Sequence, residues 1–234
     1  MIYVISDLHG YPLEDFQSLL ERAGFSDADF CFVLGDVIDR GEDGARLLEW
    51  LMYQPNIELI LGNHEQMLLS CDFLFGEITE SSLSDLSPKQ MKALMHWREN
   101  GGEQTMKGML SLDPETRADI LDYIREAPLY DEIEVNGKDY ILTHSGLGGF
   151  SLDRSIDDYE DFELLWNRPS LDDEYYRDRI VVFGHTPTHF YRQEYKGSIL
   201  IRDSWIDIDT GSACGLAPTL VRLDDMQTFK IEDK

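Results

Sequence analysis

Cysteine and positive charge are both scarce in this sequence. The chain of 234 residues contains three cysteines, which are far apart and form no CxxC pair. This pattern argues against a disulfide framework and favours a reducing compartment. Only 20 lysines and arginines stand against 46 acidic residues, so the formal net charge is −26. We therefore expect neither nucleic acid nor membrane among the partners, since both require a positive protein surface.

Long hydrophobic runs are also missing. No apolar run approaches the roughly 18 residues of a membrane span, and residues 1–10 lack the basic and apolar regions of a signal peptide. Hydrophobic residues make up 42% of the chain, which is typical of a globular protein. The length allows one large domain or two small ones. Because there is no repeat and no low-complexity linker, we predict a single cytoplasmic domain over residues 1–234.

Short apolar runs alternate with amphipathic stretches over the first seventy residues. The spacing predicts strands at 2–5, 30–34 and 57–61 and helices at 13–23, 43–53 and 64–71. This alternation indicates a parallel sheet with helices on its faces.

The rest of the chain has a different pattern. Residues 72–127 are helical in pattern and predict a helical insertion. A hairpin is expected around Asn136-Gly137, with strands 130–135 and 138–143. Residues 151–178 are acid-rich and irregular. Further β structure is predicted at 179–183, 199–201, 206–209, 219–223 and 227–231.

Acidic residues and histidines follow several of these strands. Four of the six histidines lie just beyond an apolar run. The carboxyl ends of parallel strands are where α/β proteins place their functional sites. The residues at these positions are Asp7, His9, Asp36, Asp39, Arg40, Asn63, His64, Glu65, His144 and His185.

Six of these side chains are candidate metal ligands: Asp7, His9, Asp36, Asn63, His144 and His185. They offer oxygen and imidazole nitrogen but no thiolate, a set that suits Mn, Fe, Zn, Co or Ni. Two ions about 3.5–4 Å apart would polarise a phosphate and ionise a shared water. Asp36 is the natural bridging ligand, because its strand should lie beside the first and third strands.

The ordered motifs resemble those of the calcineurin-type metallophosphoesterases. Within them, the chain is most similar to the bacterial and phage serine/threonine phosphatases of the phosphoprotein phosphatase family, from residue 1 to about 223. This resemblance implies an α/β fold, a four-layer α/β/β/α sandwich with the helical insertion at about 72–127. The segments that carry it are Asp7-Leu8-His9-Gly10, Gly35-Asp36-Val37-Ile38-Asp39-Arg40-Gly41, Gly62-Asn63-His64-Glu65, His144 and Gly184-His185-Thr186.

The resemblance also implies a role for each residue. Asp7, His9 and Asp36 would hold one metal ion, and Asp36 with Asn63, His144 and His185 the other, with Mn expected. A hydroxide between the ions would attack phosphorus, and His64, paired with Asp39, would be the general acid. Arg40 would bind phosphate oxygens, and so would Arg168 in the segment Leu165-Trp166-Asn167-Arg168.

Three other features receive weaker interpretations. We expect Glu65 only to favour the start of the helix after Asn63, through the helix dipole. Trp97 with Asn100-Gly101-Gly102 resembles a segment of the bacterial branch and predicts a helix that ends in a turn. Residues 209–211 resemble a late family loop near the site.

These features predict a dinuclear metal-dependent phosphomonoesterase that acts on phosphoserine, phosphothreonine or phosphotyrosine in proteins. The partner would be a phosphorylated protein or peptide. One alternative is a symmetrical dinucleoside tetraphosphate hydrolase. Another is a non-catalytic metal-binding interaction module, although such a module would not need the set Asp39, His64 and Arg40.

Overall fold

The computed structural model of the chain describes residues 1–76 and 86–231. These residues form ten strands and seven α-helices. The strands are β1 (Ile2–Ile5), β2 (Phe30–Val33), β3 (Ile57–Leu59), β4 (Tyr130–Val135), β5 (Lys138–Thr143), β6 (Arg179–Phe183), β7 (Leu200–Ile201), β8 (Trp205–Asp207), β9 (Leu220–Arg222) and β10 (Gln227–Phe229). The helices are α1 (Leu13–Ala23), α2 (Gly44–Leu51), α3 (Asn63–Leu69), α4 (Pro88–Glu99), α5 (Glu103–Ser111), α6 (Pro114–Glu126) and α7 (Asp161–Leu165).

The strands form two mixed sheets of five strands each. The first has the order β10-β9-β1-β2-β3, in which β1, β2 and β3 are parallel. The second has the order β4-β5-β6-β8-β7, in which β5, β6 and β8 are parallel. Each sheet therefore has a parallel core whose carboxyl ends share one edge, with antiparallel strands outside it.

Three apolar layers separate four structural layers. In β1, Tyr3 and Ile5 pack towards α1 and α2, whereas Val4 packs towards the second sheet. Successive side chains of a strand point to opposite faces, so both faces of this central strand are buried. The second sheet buries its inner face against the first, and its outer face packs on short segments that include α7. The α/β fold with two sheets between helical layers that the sequence predicts is confirmed.

The helical insertion lies against the first sheet's helices. Its described part contains α4, α5 and α6, and α6 begins where Asp113 accepts hydrogen bonds from the backbone N–H groups of Glu115 and Thr116. This is the usual function of an aspartate at a helix N-cap. Residues 77–85 of the predicted insertion lie outside the described residues.

The hairpin and most of the predicted strands form within one or two residues of the expected bounds. The hairpin turns at Asn136 and Gly137, which both adopt positive φ, as a type I′ turn requires. Within residues 1–76 and 86–231, no helix has the length and apolar character needed to cross a membrane. The single domain over residues 1–234 stays a prediction.

Candidate metal centre

The loops that follow the parallel strands converge at the shared edge of the two sheets. Asp7, His9, Asp36 and His185 in these loops all have positive φ, between 47° and 67°. This left-handed conformation is unfavourable for residues with a side chain, and it concentrates at functional sites. Backbone hydrogen bonds between the loops hold it, such as that from His9 N to Asp36 O at 2.8 Å.

A first group of side chains surrounds one oxygen of Asp36. Nε2 of His9 lies 3.7 Å from Oδ2 of Asp36 and 3.8 Å from Oδ1 of Asp7. Nδ1 of His9 donates to the backbone oxygen of Ile38 at 3.2 Å. This hydrogen bond leaves the Nε2 lone pair directed at the carboxylates.

A second group surrounds the other oxygen of Asp36. Nε2 of His144 lies 2.8 Å from Oδ1 of Asn63, 3.2 Å from Nδ1 of His185 and 3.4 Å from Oδ1 of Asp36. Nδ1 of His144 donates to the backbone oxygen of Leu34 at 2.8 Å. Asp36 therefore has one oxygen in each group, which is the position that a bridging ligand takes.

The chemistry of this cluster fits divalent cations. Because His144 uses Nδ1 as donor, its Nε2 lone pair faces acceptor oxygens, an arrangement that a cation satisfies. Burial raises the pKa of Asp36, and the neighbouring carboxylates of Asp7 and Glu65 raise it further. Burial lowers the pKa of His144 to about 3, so its imidazole is neutral and able to bind a metal ion. Bound cations would offset the repulsion between these buried carboxylates.

His64 and Asp39 form a buried pair beside the first group. Nδ1 of His64 lies 2.6 Å from Oδ2 of Asp39, and its Nε2 lies 3.7 Å from Oδ2 of Asp36. Burial lowers the pKa of His64 to about 3. The Asp39 carboxylate acts in the opposite direction, because an adjacent negative charge favours the imidazolium.

A sequence comparison agrees with this geometry. The family model of calcineurin-like phosphoesterases matches residues 1–208. The chain belongs to the calcineurin-like phosphoesterase family. A dinuclear divalent metal centre is what this family implies. Two sets of side chains in the phosphoesterase lie close enough together to hold a metal ion, His9 with Asp36 and His64, and Asp36 with His144 and His185.

Individual relatives of the phosphoesterase carry two different names. It is 27% identical over 226 residues to serine/threonine-protein phosphatase 2 of Salmonella typhimurium, a match that covers 91% of this chain and 88% of the relative. It is 34% identical over 100 residues to the symmetrical bis(5'-nucleosyl)-tetraphosphatase of Chromobacterium violaceum, which covers 41% of this chain and 36% of the relative. A match to the same enzyme of Buchnera aphidicola spans 54% of that relative. The chain thus spans about a third to a half of the length of these tetraphosphatases.

Solved structures show the same fold. The protein serine/threonine phosphatase from Saccharomyces cerevisiae with similarity to human phosphatase PP5 superposes with a TM-score of 0.61 at 16% sequence identity. The superposition covers 100% of this chain and 80% of that one.

The mouth of the phosphoesterase site carries the two arginines expected from the sequence. Arg40 and Arg168 are both exposed and both line the cavity of about 90 Å³ over the cluster. Nη1 of Arg168 lies 3.3 Å from Oγ1 of Thr186. The half-buried Trp166 and the exposed Phe190 line the same cavity.

Glu65 has a larger role in the phosphoesterase than the sequence predicts. Its side chain is fully buried and accepts hydrogen bonds from the backbone N–H groups of Asp36 at 2.8 Å, Val37 at 2.9 Å and Gly62 at 3.1 Å. The expected contact with its own helix is therefore one of several. The others anchor the loop that carries Asp36.

Asp209 also lies at the site, in the loop 209–211 that the resemblance predicts near it, although the sequence predicted no role for this side chain. It is buried, lines the cavity over the cluster, and accepts a hydrogen bond from Gly211 N at 2.9 Å. Its position just after β8, another parallel strand, is the signal that could have identified it.

Replacement of Asp36 should separate metal binding from folding. Asn keeps the acceptor for His64 N, which lies 3.0 Å from Oδ1 of Asp36, but removes a buried charge. We expect metal-free Asp36→Asn to melt at or above the wild-type temperature. At a free Mn²⁺ concentration 100 times Kd, the wild type should gain about 2.7 kcal/mol and the variant less than half of that.

Thermal unfolding with and without chelator measures this effect. The matched control is Asp178→Asn, since that side chain is 78% exposed, and it should behave as the wild type. If Mn²⁺ stabilised Asp36→Asn as much as the wild type, Asp36 would not be a metal ligand.

Replacement of Glu65 tests the anchor. In Glu65→Gln, an amide N–H₂ would face backbone donors, so we expect a loss of about 1–3 kcal/mol in the free energy of unfolding. Because Asp36 loses its support, Kd for Mn²⁺ should rise roughly 10- to 100-fold in calorimetric titration.

The matched control is Glu115→Gln, an exposed first-turn glutamate of α6. It isolates the helix-dipole effect, which is worth about 0.3–1 kcal/mol. If the two substitutions changed the free energy of unfolding and the Kd for Mn²⁺ equally, Glu65 would only stabilise the start of its helix and would not anchor the loop.

Proposed function

We propose that the phosphoesterase is a metal-dependent phosphomonoesterase that acts on phosphorylated proteins. The observation that carries the proposal is the convergence of the six candidate ligands next to the His64–Asp39 pair, below two exposed arginines. A binding module would need the ligands but not a paired histidine whose second nitrogen faces them.

We assign Asp7, His9 and Asp36 to one divalent ion and Asp36, Asn63, His144 and His185 to the second. Mn²⁺ is the ion we propose, and Fe, Zn, Co and Ni are alternatives that the same ligands accept. When bound, such ions stabilise charge on phosphate oxygens and lower the pKa of water.

His64 is the general acid in this proposal. Asp39 fixes Nδ1, so Nε2 is the nitrogen that faces the cluster. Protonated there, His64 donates a proton to the oxygen that leaves phosphorus. The Asp39 carboxylate supports the imidazolium form against the burial that lowers the pKa of His64.

Arg40 and Arg168 bind the phosphate oxygens. The guanidinium group offers paired donors to a tetrahedral oxyanion. Within a chain of net charge −26, these two exposed cations with the bound ions make the mouth attractive to phosphate. The acidic remainder of the surface suits a basic peptide around the phosphorylated residue.

The substrate class is supported by two observations. The similarity to serine/threonine-protein phosphatase 2 extends over 91% of this chain. The cavity over the cluster is small, about 90 Å³. It suits a phosphate group and leaves the rest of the substrate at the surface, as a phosphorylated side chain on a protein requires.

A second candidate function has one structural observation in its favour. A second cavity of about 340 Å³ adjoins the cavity over the cluster, and His9 and Arg40 line both. Tyr11, Leu216 and Ala217 are among its other lining residues. A dinucleoside tetraphosphate needs room beyond the scissile phosphate, which this cavity would provide. The tetraphosphatase names of some relatives agree with it.

A substrate comparison tests the choice between the two. With Mn²⁺-reconstituted protein, we expect kcat/KM for phosphoserine or phosphothreonine peptides to exceed that for diadenosine tetraphosphate by at least about tenfold, or 1.4 kcal/mol in transition-state binding. Ala217→Trp, which fills the adjoining cavity, should leave peptide hydrolysis unchanged. The reverse preference, together with a selective loss of nucleotide hydrolysis in Ala217→Trp, would establish the second candidate. If the protein hydrolyses no phosphate ester, the non-catalytic metal-binding module would be the remaining hypothesis.

The general acid is tested through the leaving group. His64→Ala should lower kcat/KM for a phosphoserine peptide by roughly 10²- to 10⁴-fold, and for p-nitrophenyl phosphate by much less, because an aryl oxide needs little protonation. Both rates are measured at saturating Mn²⁺, with metal content checked by elemental analysis. Equal losses on the two substrates would contradict the general-acid role.

A further inference from the structure

The helical insertion touches the His64–Asp39 pair directly. We propose that its segment 97–105 is a working part of the catalytic centre, in which Trp97 is the positioning residue that orients the Asp39 carboxylate towards His64. The proposal rests on the general-acid role of His64 given above.

The indole of Trp97 is aimed at the Asp39 carboxylate. Trp97 is fully buried, and its Nε1 lies 2.9 Å from Oδ2 and 3.1 Å from Oδ1 of Asp39. Oδ2 is also the oxygen that contacts Nδ1 of His64. A single carboxylate oxygen thus receives hydrogen bonds from the indole and from the imidazole. These bonds fix the rotation of the Asp39 carboxylate about its Cβ–Cγ bond.

The same segment fixes the backbone of Asp39. The Thr105 hydroxyl accepts a hydrogen bond from Asp39 N at 2.8 Å, and Asp39 has a φ of 71°. Such left-handed backbone costs free energy and persists only where its surroundings determine it. Thr105 is buried, so this bond is protected from water.

Arg40 is held by the turn between α4 and α5. Its backbone N–H donates to the carbonyl of Gly101 at 3.0 Å. A side chain at Gly101 would place Cβ 2.9 Å from Cγ of Arg40, and one at Gly102 would place Cβ 2.4 Å from Nε1 of Trp97. The two glycines therefore allow the turn to approach Arg40 and the indole to reach Asp39, which accounts for the Trp97 and Asn100-Gly101-Gly102 motif in the sequence.

Orientation matters because proton transfer requires Nε2 of His64 to point at the leaving oxygen. Asp39 is the only described side chain that contacts Nδ1 of His64 within hydrogen-bond distance, so the angle of its carboxylate sets the angle of the imidazole. Small displacements of a catalytic group cost rate steeply. Removing the indole N–H should therefore damage proton donation more than the binding of phosphate.

Trp97→Phe tests this role, since it removes the N–H and keeps an aromatic ring in the core. We expect kcat/KM for a phosphoserine peptide to fall roughly 10- to 100-fold and that for p-nitrophenyl phosphate less than about threefold. Metal content should not change. The matched control is Phe75→Leu, because the ring of Phe75 packs edge-on against Trp97 with centroids 6.4 Å apart. This substitution alters the packing around Trp97 but leaves the indole N–H in place. We expect it to lower kcat/KM for neither substrate by more than about threefold.

The possible outcomes separate this proposal from the proposed function. Equal losses on both substrates in Trp97→Phe, or the same losses in Phe75→Leu, would overturn the positioning role while His64→Ala still discriminates between the substrates. If His64→Ala does not discriminate, the general-acid assignment fails and this proposal fails with it.

A measurement without catalysis covers the case in which Trp97→Phe does not fold. In ¹⁵N-labelled metal-free protein, the indole N–H of Trp97 should exchange slowly with solvent, and its resonance should shift in Asp39→Asn. An indole resonance that is unaffected by Asp39→Asn would overturn the proposed contact.

Discussion

The hydrogen bonds between Glu65 and the loop after β2 are the interactions on which the rest of the site depends. That loop places Asp36, Asp39 and Arg40 in left-handed conformations, with φ between 55° and 71°. Each such residue costs of order 1–3 kcal/mol unless its surroundings compensate. A buried carboxylate that accepts several backbone N–H groups compensates for the strain, and it does so from the helix that also carries Asn63 and His64. One side chain therefore sets the relative positions of both groups of candidate ligands.

The two sheets are joined at the same place by close backbone approach. His185 N donates to Oδ2 of Asp7 at 2.9 Å, and a side chain at Gly184 would place Cβ 2.1 Å from that oxygen. Gly35 similarly allows the loop after β2 to approach His144, which follows β5 of the second sheet. Because these contacts cross between the sheets, the site forms only when the two sheets are packed in this relative position. This explains why ligands far apart in the sequence can form a cluster only a few ångströms wide.

The sequence predicts the parallel strands and the residues at their ends, because apolar runs of four or five residues followed by Gly, Asp or His are local signals. It does not predict the roles of Glu65 and Trp97. Glu65 reads as a helix-start residue, since its contacts with Asp36 and Val37 cross about 28 residues of chain. Trp97 lies 58 residues from Asp39, and its sequence context predicts only a helix that ends in a turn. The acid-rich stretch 151–178 was predicted to be irregular, and α7 with its Arg154–Glu163 ion pair depends on packing against the second sheet.

The distribution of charge explains how an acidic protein can present a site for phosphate. The carboxylates of the cluster are buried and face the candidate metal positions, whereas Arg40 and Arg168 are exposed at the mouth. The backbone N–H of Arg40 donates to the carbonyl of Gly101, and the guanidinium of Arg168 donates to the carbonyl of His185. Long-range repulsion from the rest of the surface is screened within about 8 Å at physiological salt. The phosphate group therefore experiences the local cations, while any part of the substrate that extends over the surface experiences the surrounding acids. Under the proposed function, selection among phosphate esters would depend on those outer surfaces and on the adjoining cavity of about 340 Å³, because the small cavity over the cluster is the same for every ester.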